Sequence, residues 1–262
     1  MGKRERYEPG TFSWVDLATT DAEGAKAFYY GLFGWEAEDM PAGERGTYTM
    51  LYMNGDDVGG LSEMGADQRA QGIPPYWLSY VSVEDADATV TRARELGGTV
   101  HGEAFDVLDA GRLALVKDPA GAMLAAWEPR KHIGASRVND PGCMAWNELQ
   151  SHDHETAAAF YAGLFDWETE PIEENGNVVY ATIRNAGSMN GGIMPMMQHN
   201  DDARPYWLPY FTVPSCEGAI SRAHELGGEA MVGPLDIGAG RISVLRDPQD
   251  AAFAIYEGKT DD

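Results

Sequence analysis

Asp16 follows Trp14 by two positions, and Glu148 follows Trp146 by two. In an extended strand, side chains two apart share a face, so each carboxylate points the same way as its indole. A carboxyl group walled in by apolar rings is desolvated and keeps its proton to higher pH. It can then act as a general acid or base, or as a hydrogen-bond acceptor for a ligand. The structural alternative is a strand carboxylate tied to Arg112 or Arg241, or to backbone amides. Those two arginines each follow Ala-Gly and precede a strand, a place from which they could hold a ligand carboxylate or stabilise the turn. The same parity joins Tyr80 to Leu78, Tyr210 to Leu208, Trp127 to Ala125 and Tyr256 to Ala254. Rings gathered on one face, with Tyr48, Met50 and Tyr52 or Met194 and Met196 beside them, can stack a flat ligand or simply fill a core.

Other chemistry-bearing residues read as structural. His152-Asp153-His154-Glu155 contains every oxygen and nitrogen ligand type, but it falls at the mouth of a helix, where such residues act as caps. His101, His132, His199 and His224 are isolated in sequence. Cys143 and Cys216 are too few for a disulfide framework and lack metal-ligand spacing, which fits a reducing, cytoplasmic setting. Gly59-Gly60 and Gly191-Gly192 lack the strand-turn-helix context of a phosphate loop.

The elements that must position these residues are written twice. Trp14-Val-Asp-Leu17 returns as Trp146-Asn-Glu-Leu149, 132 positions on, and Ala27-Phe-Tyr-Tyr-Gly-Leu-Phe-Gly-Trp-Glu36 returns as Ala159-Phe-Tyr-Ala-Gly-Leu-Phe-Asp-Trp-Glu168. Pro75-Tyr-Trp-Leu-Ser-Tyr80 matches Pro205-Tyr-Trp-Leu-Pro-Tyr210, and Ala110-Gly-Arg112 with Asp118-Pro119 matches Ala239-Gly-Arg241 with Asp247-Pro248. The pattern predicts a first domain over 1–129, a linker over 130–141 and a second domain over 142–262. In the first copy, Thr11 to Leu17 reads as a strand, and Asp21 caps a helix over Ala22 to Phe33. Strands then follow around Trp35 to Asp39, Thr47 to Met53 and Val58 to Met64, with a hairpin turn at Asn54-Gly55. The cycle restarts with a strand over Trp77 to Val83, a helix over Asp85 to Leu96 and three strands leading to Trp127. Each half is thus two βαβββ modules, giving an α+β fold.

Composition narrows the partners. With 42 acidic against 19 basic residues the formal net charge is −23, which repels phosphate backbones and anionic lipid headgroups. Neither a nucleic-acid nor a membrane partner is expected. No stretch approaches the roughly 20 apolar residues that span a bilayer, and no secretion signal follows Met1.

Paired βαβββ modules, a Phe-Tyr pair on the first helix and an Asp-Pro turn before the last strand resemble the vicinal oxygen chelate superfamily of glyoxalases, bleomycin-resistance proteins and extradiol dioxygenases. The Trp-Val-Asp-Leu opening, the Ala-Gly-Arg motif and Arg130-Lys-His-Ile-Gly-Ala135 are similar to two-domain actinobacterial glyoxalase-like or hydroxylase-like members. The resemblance implies two curved, partly open β-barrels and a metal held by inward-facing side chains. Those metal positions fall at Trp14, Leu78 and Ala125, and at Trp146, Leu208 and Ala254. A fourth lies near Leu61 to Glu63 or Ile193 to Pro195. Indole, isobutyl and methyl groups offer no lone pair to a cation, so no metal and no cofactor is expected. The sequence therefore points to a metal-independent protein, monomeric or homodimeric, binding a small aromatic or polyketide-like metabolite in antibiotic resistance or tailoring. The binding residues would be Trp14, Tyr52, Leu78, Tyr80, Trp127, Trp146, Leu208, Tyr210, Tyr256, Arg112 and Arg241. Two rival readings stay open: a cofactor-free isomerase, cyclase or lyase using Asp16 or Glu148, and a metal-dependent glyoxalase or dioxygenase with displaced ligands.

Overall fold

The computed structural model describes residues 2–43, 46–196 and 204–260; His199 lies outside the described residues. The first half contains β1 (Phe12–Thr19), α1 (Ala22–Phe33), β2 (Glu36–Pro41), β3 (Thr47–Met53), β4 (Asp56–Glu63) and α2 (Ala66–Ala70). It continues with β5 (Tyr76–Ser82), α3 (Ala86–Glu95), β6 (Thr99–Val100), β7 (Phe105–Val107), β8 (Gly111–Lys117) and β9 (Met123–Pro129). The second half repeats this as β10 (Met144–Ser151), α4 (His154–Phe165), β11 (Glu168–Glu174), β12 (Asn177–Asn185), β13 (Ser188–Pro195), β14 (Tyr206–Thr212), α5 (Cys216–Glu225), β15 (Glu229–Asp236), β16 (Gly240–Arg246) and β17 (Ala252–Gly258).

Local chemistry sets the element ends. The Asp21 carboxylate accepts from the Gly24 amide and the Asp153 carboxylate from the Thr156 amide, which satisfies open helix N-termini. Asp85 and Ser215 cap α3 and α5 in the same way. The β3–β4 turn is the two-residue Asn54-Gly55, with φ of 53° and 80°, a conformation these residue types tolerate.

Each half forms one sheet. The order is β2-β3-β4-β1-β5-β9-β8-β6 in the first, with β7 also on β8, and β11-β12-β13-β10-β14-β17-β16-β15 in the second. The opening strands of the two modules pair antiparallel at the centre, with Trp14 opposite Tyr80 and Asp16 opposite Leu78, and equivalently Trp146 opposite Tyr210 and Glu148 opposite Leu208. Two features depart from the sequence reading. The outer edge of the first sheet is broken into β6 and β7, so four strands rather than three follow α3, and α2 is an extra short helix.

The halves are not independently packed. Their sheets meet back to back at a buried hydrogen bond from the Ser79 hydroxyl to Asn147 Oδ1 (2.6 Å), with the helices filling the space between them. Phe28, Tyr29 and Phe33 on α1 contact Phe253 of β17, and Trp35 contacts Phe211 of β14. The Tyr29 hydroxyl donates to Asp247 Oδ2 at 3.0 Å and accepts from the Trp77 indole at 3.2 Å. The mirror arrangement places Tyr161 between Trp207 and Asp118. Arg222 Nε donates to the Gly31 carbonyl and Arg92 Nε to the Gly163 carbonyl, closing the α1–α5 and α3–α4 crossings. The chain before each opening strand also crosses over: Trp167 donates to the Gly10 carbonyl and Trp35 to the Gly142 carbonyl, both at 2.7 Å.

Because the two large core clusters each contain residues of both halves, the two should unfold together. Phe253→Ala, which empties a fully buried ring site facing α1, is expected to cost about 3–5 kcal/mol in urea denaturation. The variant should keep a single transition by fluorescence and circular dichroism; two separated transitions would contradict the shared core.

Candidate functional site

Each sheet has a concave face away from the helices, and a carboxyl group lies at its centre. On the first face Asp16 Oδ1 accepts from the Trp14 indole (2.7 Å) and the Tyr48 hydroxyl (2.6 Å), while Oδ2 accepts from the Tyr80 hydroxyl (2.6 Å). The neighbouring strand carries Gly60 opposite Asp16, and any Cβ there would run into the Tyr48 hydroxyl and Asp16 Oδ1. On the second face Glu148 Oε1 accepts from the Gln150 amide (2.5 Å), Tyr210 and Tyr180 also hydrogen-bond to the carboxylate, and the Trp146 indole donates to the Tyr180 hydroxyl (3.0 Å). Gly192 makes the room for Tyr180 that Gly60 makes for Tyr48.

Burial raises the proton affinity of both carboxyls; the phenol, indole and amide donors oppose it without cancelling it. Burial also pushes the phenols of Tyr48 and Tyr80 well above their ordinary range, and the adjacent Asp16 adds to this. Tyr180 and Tyr210 are raised for the same two reasons, with Glu148 as the neighbour. Each cluster is therefore a carboxyl of raised proton affinity ringed by neutral donors. It can accept or return one proton, or hydrogen-bond a polar group on an otherwise apolar ligand.

The structure brings most of the predicted residues together. Trp14, Leu78, Tyr80 and Trp127 are buried on the first face; Leu208 and Tyr210 are buried and Trp146 and Tyr256 half-buried on the second. Tyr52 lies at the rim, its hydroxyl 3.4 Å from Glu38 Oε2. Tyr256 ties its hydroxyl to the carbonyls of Ala239 (2.8 Å) and Lys259 (3.0 Å). The two arginines are not brought onto the concave faces. Arg112 lies opposite Glu128 in the register and Arg241 opposite Glu257, one residue out of phase with the concave face. Arg112 pairs with Asp87 and Asp106, and Arg241 with Glu217, so their charge is spent on the other side of the sheet. In the His152–Glu155 stretch Asp153 is the cap of α4.

Sequence reasoning missed three members. Tyr180 was legible as the repeat partner of Tyr48, 132 positions on, and Gln150 as the residue two beyond Glu148. His132 had no local signal. It is not isolated: its ring sits edge-on to Trp14 at 4.6 Å, its carbonyl accepts from the Trp127 indole at 2.9 Å, and burial lowers its proton affinity. Two surface clefts lie elsewhere, one of about 450 Å³ beside the start of α1 and one of about 560 Å³ beside Pro141 and Val213. Lys26 in the first cleft is already paired with Glu23 and Asp39. The concave faces, with their desolvated carboxyls, are the stronger chemical candidates.

A family model described as "Glyoxalase/Bleomycin resistance protein/Dioxygenase superfamily" matches residues 11–126, and one described as "Glyoxalase-like domain" matches residues 146–256. The chain belongs to this superfamily. It is 38% identical over 262 residues, 98% of each chain, to a Mycobacterium tuberculosis protein named "Putative glyoxylase CFP32". It is 32% identical over 271 residues, 96% of this chain and 94% of the other, to the "Anthracycline biosynthesis protein DauV" of a Streptomyces species. Its fold matches the Mn(II)-bound glyoxalase of Novosphingobium aromaticivorans with a TM-score of 0.66 at 16% identity, covering 98% of this chain and 83% of that one.

The superfamily implies a metal, and the residues at its positions do not fit one. Trp14, Leu78 and Ala125 line the first face and Trp146, Leu208 and Ala254 the second. In the first half Gly60 and Ser62 share the Asp16 face, whereas Glu63 points outward to Arg69 at 2.9 Å; in the second half Gly192 and Met194 share the Glu148 face, and the Met194 sulfur already accepts from the Gln150 amide at 3.6 Å. At the centre of each face one carboxyl is already engaged by three donors, beside phenols that resist ionisation. Among the described residues no three His, Cys, Asp or Glu side chains converge.

The raised proton affinities have a testable sign. A carboxyl that binds protons more tightly when folded favours the folded state below the ordinary carboxylate range. That contribution fades as pH rises through the unfolded and then the folded pKa. Glu148→Gln removes the titration while preserving shape, so the stability of the native protein relative to this variant should fall as pH increases from about 4. Parallel stability-versus-pH curves for the two proteins would contradict a desolvated Glu148.

Proposed function

We propose that this protein binds a small, largely apolar aromatic metabolite on its carboxylate-bearing concave faces, without a metal, in a secondary-metabolite tailoring or resistance role. The observation that carries this is the substitution at the heart of each face. Where the superfamily holds an ion, the chain has indole, isobutyl and methyl groups around one desolvated carboxyl. Such a surface favours flat rings by stacking and area burial, and the carboxyl fixes their orientation through a hydroxyl or carbonyl group. The likeness over nearly the whole chain to a protein named for anthracycline biosynthesis supports a ligand of fused aromatic rings.

A second reading is favoured by the raised proton affinity of Asp16 and Glu148. A carboxyl of raised proton affinity can remove a proton from an acidic carbon of a bound ligand and return it at another position. That is an isomerisation or cyclisation needing no cofactor. The two readings share a site and differ in turnover.

Protein stripped with EDTA and titrated with quinizarin, a planar dihydroxyanthraquinone, is expected to show saturable quenching of tryptophan fluorescence unchanged by stripping. No quenching across a panel of planar aromatics would defeat the binding reading, and a stoichiometric transition metal in protein purified without a His tag would defeat metal independence. If a substrate is turned over, Asp16→Asn or Glu148→Gln should lower kcat by about 10²–10⁴-fold; normal turnover by both variants would remove acid-base catalysis by these carboxyls.

A further inference from the structure

The two concave faces are equivalent in sequence but not in access. Trp14, Leu113 and Trp127 on the first are buried, whereas their equivalents Trp146, Ile242 and Tyr256 on the second are half-buried. The difference runs along the side where the segment between the halves crosses. There His132 packs edge-on against both Trp14 and Trp127, with centroids at 4.6 and 6.1 Å. The segment is pinned on either side of that ring. The Gly134 amide donates to His132 Nδ1 at 3.1 Å, the Ala135 amide donates to the Ser13 carbonyl at 2.7 Å, and the Tyr7 hydroxyl donates to the Ala135 carbonyl at 2.6 Å. In the second half the equivalent stretch begins at Lys259, and the Thr260 hydroxyl donates to the Asn139 carbonyl at 3.1 Å.

The outer edge differs in the same sense. In the first half it is broken between β6 and β7, and Phe105 and Val107 fold down onto the core. In the second half β15 is continuous. Val232 lies opposite Val244 and Leu235 opposite Ile242, and both edge residues are exposed, at 43% and 49%. They extend the apolar wall outward from Tyr256. Glu148 and the Gln150 amide form its polar end.

Charge narrows the ligand further. On β16, Arg241 is out of phase with this face and paired with Glu217, whereas Arg246 is in phase with Ile242 and Val244 and lies 3.6 Å from Asp250. An anionic ligand would meet Glu148 in a protein of net charge −23, and Arg246, the cation in phase with this face, is already held by Asp250. A neutral planar ring system with a hydroxyl or carbonyl at one end meets an acceptor, a donor amide and a long apolar wall.

We propose that the second half alone binds the aromatic ligand, laid along Trp146, Tyr256, Ile242, Val232 and Leu235 with its polar end at Glu148 and Gln150. The first half is its sealed counterpart, closed by His132. This rests on the aromatic-binding reading above and assigns it to one face and to uncharged ligands.

Calorimetric and fluorescence titration of the full chain with quinizarin is expected to give one site per chain, and an anthraquinone carboxylate should bind at least about tenfold more weakly. Leu235→Asp, on an exposed edge where folding is undisturbed, should weaken quinizarin about tenfold, as should Trp146→Ala. Val107→Asp, at the corresponding rim of the first half, should change affinity less than about twofold. Two equivalent sites, equal affinity for the carboxylate, or a loss on Val107→Asp that Leu235→Asp does not reproduce would overturn the assignment while leaving aromatic binding intact. Failure of the unmodified chain to bind quinizarin or any other planar aromatic would instead defeat the underlying reading.

Discussion

A curved sheet of eight or nine strands has two faces to keep from water, and each half of this chain brings only two long helices to the task. The helices go to the convex faces, and the two sheets cover them from either side. Everything else depends on that arrangement. Once α1 lies against Phe253 and Phe211 of the other half, and α4 against Trp207, the convex faces are consumed as core. The concave faces are the surfaces left over. A carboxyl is tolerated at the centre of each because it does not have to be packed by helices, only satisfied by local donors.

The donors are supplied across strands rather than along them. Asp16 on β1 draws a phenol from β3 and another from β5, and Gly60 on the strand between keeps the path clear. The same geometry recurs around Glu148 with one change: Gln150 replaces Ala18, so an amide reaches the carboxyl where the first half has a methyl group. Duplication preserved the frame, and a small number of substitutions then distinguished the two faces. Outside the repeat, the linker adds a histidine ring that lies over two indoles of the first half.

This arrangement separates the chain from metal-binding members of its superfamily in a physically specific way. An ion site needs several anionic or neutral lone pairs converging on one point. Here a single carboxyl faces neutral phenols whose protons are held more firmly by the burial that surrounds them. The cluster is stable as a hydrogen-bonded unit and poor as a chelator. The fold is shared with the manganese glyoxalase structure.

How much could be read from the sequence follows from which interactions are local. The repeat, the helix caps at Asp21 and Asp153, the Asn54-Gly55 turn and the alternation that puts Asp16 with Trp14 and Glu148 with Trp146 are all determined within a few residues. The structure keeps each of them. Arg112 and Arg241 share their strands with concave-facing Leu113 and Ile242, one position out of phase, which their Ala-Gly-Arg context alone did not reveal. Packing between the halves, the broken edge at β6 and β7, the outward turn of Glu63 and the seat of His132 against Trp14 were decided only by tertiary structure. Each depends on partners distant in the chain, whose meeting no local pattern encodes.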